Sequence, residues 1–145
     1  HEEEAIRDLS LSYPNQIASY IGFDDTLARK IFAGSDFFIM PSRFEPCGLA
    51  QQYAMRYGAL PIARKTGGLA DTIHTQEGGA LHPNGFLFTE PTPKALWLSI
   101  QEATGIYANS RKFTQMRKNA LCKKCDWEEA AKEYIKTYEW ALALG

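Results

Sequence analysis

The chain has 145 residues, a length suited to one domain with its own core. Apolar residues make up 45%, and 16 basic side chains stand against 17 acidic ones, for a formal net charge of -1. That balance argues against a protein that holds nucleic acid or an anionic membrane by bulk charge. No apolar run nears the roughly 20 residues needed to cross a bilayer. Three cysteines, an odd number, argue against a secreted disulfide framework and favour a reducing compartment. The first residue is His rather than Met and no signal peptide opens the chain. The chain therefore reads as a piece of a longer protein, and its lack of a targeting signal decides nothing.

From His1 to Leu11 the sequence is charged, with Ala5, Ile6 and Leu9 spaced as on one face of an amphipathic helix. Tyr13-Pro14-Asn15 is a turn. Ile17 to Ile21 reads as a strand closed by Gly22. Asp24 or Asp25 caps a helix over Thr26 to Ala33 that turns Leu27, Ile31 and Phe32 to the core. Asp36-Phe37-Phe38-Ile39-Met40 is a short apolar run stopped by Pro41, which predicts a buried parallel strand. Ser42 to Pro46 form a loop. Gly48 then opens a helix with Leu49, Tyr53, Ala54 and Tyr57 on one face, and Gly58 ends it.

Leu60 to Ala63 is the next strand, followed by the pair Gly67-Gly68 in a loop. Ala70 to Thr75 reads as a helical turn or a short strand. Gln76 to Pro83, with Gly78-Gly79, is a surface loop, and Gly85 to Phe88 is the last strand. Thr92-Pro93 starts a helix in the pattern that places proline at the first helical position. It runs to about Tyr107 with Leu96, Ile100 and Ala103 inward. Ser110 to Asn119 continues as helix. Asp126-Trp127-Glu128-Glu129 begins a closing one that carries Ala130, Tyr134, Tyr138 and Leu142. Strand and helix alternate, which predicts an α/β fold: a Rossmann-like parallel sheet with helices on both faces.

Polar residues gather where the two central strands end, and that edge of an open α/β sheet is where ligands bind. A helix starting near Gly48 offers free backbone N–H groups and the positive end of its dipole to a phosphate. Glu45, just before it, can accept hydrogen bonds from sugar hydroxyls or stabilise a developing cation. Gly67-Gly68 supplies a second loop of close approach. The plainer reading makes Glu45 a carboxylate favoured by the helix dipole and the glycines mere turn residues. Arg64 and Lys65 either offset phosphate charge or form a solvated pair after the strand.

Other residues invite less. Cys122-Lys123-Lys124-Cys125 has C-x-x-C spacing, but no strand precedes it and two ligands do not complete a tetrahedral site. Cys47 has no His nearby in sequence to act as its base. His74 and His82 read as loop or surface residues. No metal cluster is evident, and no metal or cofactor is expected.

Pro41-Ser42-Arg43-Phe44-Glu45-Pro46-Cys47-Gly48-Leu49, followed by Arg64-Lys65-Thr66-Gly67-Gly68-Leu69-Ala70-Asp71-Thr72, resembles the C-terminal domain of bacterial glycogen synthases and plant starch synthases. Those are retaining glycosyltransferases of the two-domain GT-B type. The similarity runs from about Ile17 to Trp140. E-P-C-G-L with a later T-G-G-L is specific, whereas a bare E-x-x-G fits many nucleotide-sugar transferases. The resemblance implies that residues 1–145 are part of a donor-binding domain ending in its closing helix. It implies ADP-glucose as donor and, through a missing N-terminal domain, an α-1,4-glucan as acceptor. Neither nucleic acid nor membrane is implied as a partner. The setting would be the cytoplasm of a bacterium or the plastid of a plant.

On that resemblance Glu45 is the catalytic-site carboxylate facing the glucose hydroxyls, and the backbone at Gly48 and Leu49 takes the distal phosphate. Cys47 lines the sugar pocket, and Thr66, Gly67 and Gly68 form the sugar–phosphate edge. Phe23 matches a position where the family carries an aromatic, commonly Tyr, that stacks on the adenine. The alternative for Phe23 is simple packing at the helix start. Two departures stand out. The family's upstream strands and its phosphate-neutralising Arg and Lys precede His1. Ala50 replaces a Thr or Ser able to touch a phosphate, a loss on the order of 1 kcal/mol. By contrast, Tyr53 stands where UDP-glucose enzymes of the same fold carry a second Glu, which favours the synthase resemblance. Two other classes stay open: another GT-B enzyme using UDP-glucose, and a non-catalytic nucleotide-sugar binding module.

Overall fold

A computed structural model describes residues 2–76, 79–124 and 127–144. The chain divides into two compact units, the first ending at Lys30 and the second starting at Ile31.

The first unit holds helix α1 (Glu2–Ser12) and the start of α2 (Asp25–Gly34). Asp24 caps α2, its Oδ1 accepting from Leu27 N–H at 2.9 Å. The strand expected over Ile17 to Ile21 does not form. Ile17 N–H closes a turn onto Tyr13 O at 2.9 Å. A lone extended segment has no ladder to join, and apolar content alone does not make it a strand.

The second unit is built on three parallel strands in the order β1 (Phe37–Met40), β2 (Leu60–Arg64), β3 (Phe86–Phe88). Phe37 faces Leu60, and Ile62 lies between Ile39 and Phe86. One face carries Leu60, Ile62 and Phe86. They pack with Met55 of α3 (Ala50–Arg56), Ala103 of α5 (Pro93–Tyr107) and Phe113, Met116 and Ala120 of α6 (Ser110–Cys122). Ala63 on the opposite face packs with Leu69 of α4 (Gly67–Thr72) and with Ile73. Helices therefore cover both faces, as the alternation predicted. The expected full burial of β1 is not met. It is an edge strand, half-buried, with Ile39 exposed, because only β2 pairs with it among the described residues.

Central strand β2 carries Pro61, which has no N–H to give a ladder. The register with β3 starts only at Ile62 and Phe86. Gly85 lies against the proline ring, where a Cβ would stand 2.7 Å from Pro61 Cγ.

Local signals for the helices held in part. Thr92 caps α5, its Oγ1 accepting from Ala95 N–H at 3.2 Å, with Pro93 as the first helical residue. Asn109 caps α6 separately. On α3 the expected face is wrong. Gln51, Ala54 and Met55 are buried, while Leu49, Tyr53 and Tyr57 are exposed. α7 (Trp127–Ala143) leaves Tyr134, Tyr138 and Leu142 exposed. Gly78, Cys125 and Asp126, which carried the expected glycine pair, the C-x-x-C spacing and the start of the closing helix, lie outside the described residues.

Candidate functional site

The site is made by two loops that leave adjacent parallel strands at the same edge. Residues 41–49 follow β1 and residues 65–66 follow β2. Their backbones interlock. Gly68 N–H is shared between the carbonyls of Glu45 and Pro46, at 3.2 Å each. A Cβ at Gly67 would overlap the Glu45 carbonyl oxygen, and one at Gly68 would stand 2.6 Å from Cys47 Cα. Gly67 also has φ +43°, a left-handed value that a side chain would strain. The pair is glycine because another main chain occupies the space a side chain needs. Gly67 and Gly68 were expected in a loop and instead form the first turn of α4.

Gly48 turns the chain into α3 with φ +71°. Leu49 is the N-cap residue and its side chain makes no capping bond. α3 spans only seven residues. An anion there would rest on the local N–H groups of the turn rather than on a long-helix dipole. Thr66, extended at φ -151° and ψ 141°, precedes α4 and also leaves its helix uncapped.

Buried Gln51 ties the two loops from below. Its Nε2 donates to Gly48 O at 2.9 Å, to Cys47 O at 3.3 Å and to Thr72 Oγ1 at 3.2 Å. Thr72 Oγ1 in turn donates to Gly68 O at 2.6 Å. Sequence reasoning missed both residues. The signal was a polar side chain three and four positions before Ala54 and Met55, on the buried face, where it had to find partners.

Arg64 was read as a possible phosphate counter-charge, and its bonds point elsewhere. The guanidinium donates to the carbonyls of Ser42, at 3.4 Å, and Arg43, and to Thr89 O at 3.4 Å. It clamps the loop that carries Glu45. The Glu45 carboxylate is half-buried and receives Ser42 Oγ at 3.4 Å. It forms no ion pair among the described residues.

Glu45, Cys47, Gly48, Gly67 and Gly68 are thus in one place, with Leu49 and Thr66 beside them in sequence. Cys47 is exposed and free of disulfide. Phe23 belongs to the first unit, and its ring is 96% exposed. Among the described residues no group of His, Cys, Asp or Glu is placed to hold a metal.

Residues 2–121 match the family model "Glycosyl transferases group 1". The chain belongs to this family. Within it, the chain is 46% identical over 136 residues to a glycogen synthase of Alkaliphilus metalliredigens, covering 94% of the chain and 29% of that protein. It is 43% identical over 143 residues to a glycogen synthase of Kosmotoga olearia, covering 99% and 30%. Among solved structures it is similar to the catalytic domain of starch synthase IV from Arabidopsis thaliana bound to ADP and acarbose. There the TM-score is 0.85 at 29% identity, covering 97% of this chain and 30% of that one. This group 1 chain therefore spans less than a third of the length of these relatives. Its parallel α/β fold is that of a glycosyltransferase domain.

Proposed function

We propose that the chain is the donor-binding part of an ADP-glucose-dependent glycogen or starch synthase. The observation that carries this is the interlock of Glu45–Cys47 with Gly67–Gly68, which sets an unpaired carboxylate beside two glycine turns at the ligand edge of the sheet. The names of the relatives and the ADP held by the starch synthase neighbour support the choice of donor and acceptor.

On this reading the diphosphate lies against the backbone at Gly48 and Leu49, and Thr66, Gly67 and Gly68 line the sugar–phosphate edge. Cys47 borders the sugar, Glu45 accepts from its hydroxyls, and Phe23 stacks on the base. The bond from the anomeric carbon to the diphosphate oxygen breaks and its electron pair stays on the phosphate. Donors already in place at the turn stabilise that charge as the sugar becomes cation-like. Glu45 lies on the sugar side, where a carboxylate favours the developing positive charge. The 4-hydroxyl at the non-reducing end of an α-1,4-glucan then bonds to the anomeric carbon with retention and loses its proton. The acceptor side of the cleft lies in the part of the relatives that this chain does not span.

The test is transfer of labelled glucose to glycogen. The full-length enzyme containing this chain is expected to use ADP-glucose well and UDP-glucose poorly, and the 145 residues alone are expected to be inactive. Preference for UDP-glucose would overturn the donor assignment. Activity in the isolated chain would overturn the claim that half the cleft is supplied from outside it.

A further inference from the structure

A cavity of about 510 Å³ opens at the other end of the sheet, among the segment after α4, the start of β3 and the last turn of α6. Asn84, just before β3, lines it. The cavity thus lies where the strands begin, whereas Gly48 and Gly67 lie where they end.

Its walls carry His74, His82, Lys118, Lys123 and Lys124, and no described residue lining it is a carboxylate. The whole chain carries a formal charge of -1, so the gathering of these three lysines is local. Lys118 and Lys124 form no ion pair among the described residues. Lys123 Nζ lies 3.1 Å from His74 Nε2. A lysine ammonium has only donors, so the histidine nitrogen accepts and its ring is neutral. The ammonium therefore meets no negative charge there. Unmatched positive groups around a concave space concentrate an attractive field for an anion.

The back wall is fixed. His74 N–H donates to Asn84 Oδ1 at 2.7 Å, and Asn84 N–H donates to His74 O at 2.9 Å. Asn84 Nδ2 reaches Thr72 O at 3.2 Å, and Asn119 Nδ2 reaches Pro83 O at 2.9 Å. These bonds hold His74 and its neighbours in place before any ligand arrives.

We propose that this cavity is a second anion site, distinct from the donor seat, and that it binds a small phosphate-bearing anion through Lys118, Lys123 and Lys124. Protonation of His74 on binding adds a charge-assisted bond. The free ring resists that proton, because burial and then the nearby Lys123 lower its pKa. A bound dianion facing His74 and Lys123 would reverse that balance.

The experiment is calorimetric titration of the full-length enzyme with inorganic phosphate and, separately, glycerol 3-phosphate, at constant ionic strength and with ADP saturating. Binding of either is expected, and tighter binding of the ester marks an organic phosphate as the natural ligand. Replacing Lys118→Gln and Lys123→Gln together should weaken it about tenfold and leave ADP affinity unchanged. Phosphate binding that is equal in the variant, or that disappears when ADP is present, overturns the proposal. If the variant does not fold, the wild type still decides. The His74 ring resonances must titrate at higher pH with phosphate than with chloride, and identical curves refute the site. Failure of ADP to bind would count against the donor reading alone, since the phosphate titration reads this cavity without it.

Discussion

Gly68 N–H donates to the carbonyls of both Glu45 and Pro46, each 3.2 Å away. Through that bond the second glycine loop fixes the backbone of the acidic one. Gly68→Ala places a methyl group 2.6 Å from Cys47 Cα, against main chain that has no rotamer to escape into. The expected cost is about 3 kcal/mol or more, seen as a lowered denaturation midpoint together with lost ADP binding. A midpoint unchanged from wild type would mean that the two loops do not interlock.

Glu45 bears on the sugar rather than the diphosphate. Glu45→Ala in the full-length enzyme should reduce turnover on the order of 100-fold, with ADP affinity kept within about threefold. Turnover and ADP titrations read the two separately. Equal losses in both would move Glu45 away from the reacting sugar.

Arg64 separates charge from geometry. Its fork spans the carbonyls of Ser42, Arg43 and Thr89, which one ammonium group cannot do. Arg64→Lys is therefore expected to destabilise nearly as much as Arg64→Ala, by about 1–3 kcal/mol. Thermal or denaturant melts of the two variants decide it. Full rescue by lysine would mean that the fork across the three carbonyls does not hold the loop.

His74 sets a pH dependence. Its folded pKa lies below the ordinary histidine value of 6.5, first through burial and then through Lys123. The unfolded chain therefore takes up the proton more readily. Stability is expected to fall as pH drops below 6.5, with the loss complete below the lowered folded pKa. In His74→Gln, denaturant midpoints measured from neutral to acid pH should show a shallower decline. An unchanged slope would assign the acid sensitivity to other groups.

The three strands of the second unit could be read from apolar runs bounded by Pro41, Gly58 and Gly85, because a parallel strand buried on both faces is a run, not an alternation. Thr92-Pro93 marked α5 just as plainly. Ile17 to Ile21 misled for the converse reason, since composition reports burial potential and not the presence of a partner. The face of α3 was misread because Leu49, Tyr53 and Tyr57 are apolar yet exposed, with Leu49 and Tyr53 left 60% and 55% accessible. Gln51 is polar yet buried, and its one partner distant in sequence, Thr72 Oγ1, is brought to it only by the fold. Of the site, Glu45, Gly48 and the glycine pair were legible from their motif. The clamp at Arg64 was not, since its three carbonyl partners come from two different loops.

The contact between Pro61 and Gly85 binds the fates of two positions far apart in the chain. A side chain at 85 meets the pyrrolidine ring first and the carbonyl behind it, which stands 2.8 Å from where a Cβ would be. Replacing the proline frees an N–H and removes the ring, but not that carbonyl. Exchanges at the two sites should therefore be non-additive: a small residue at 85 is tolerated better once 61 has changed, and neither position drifts alone without cost.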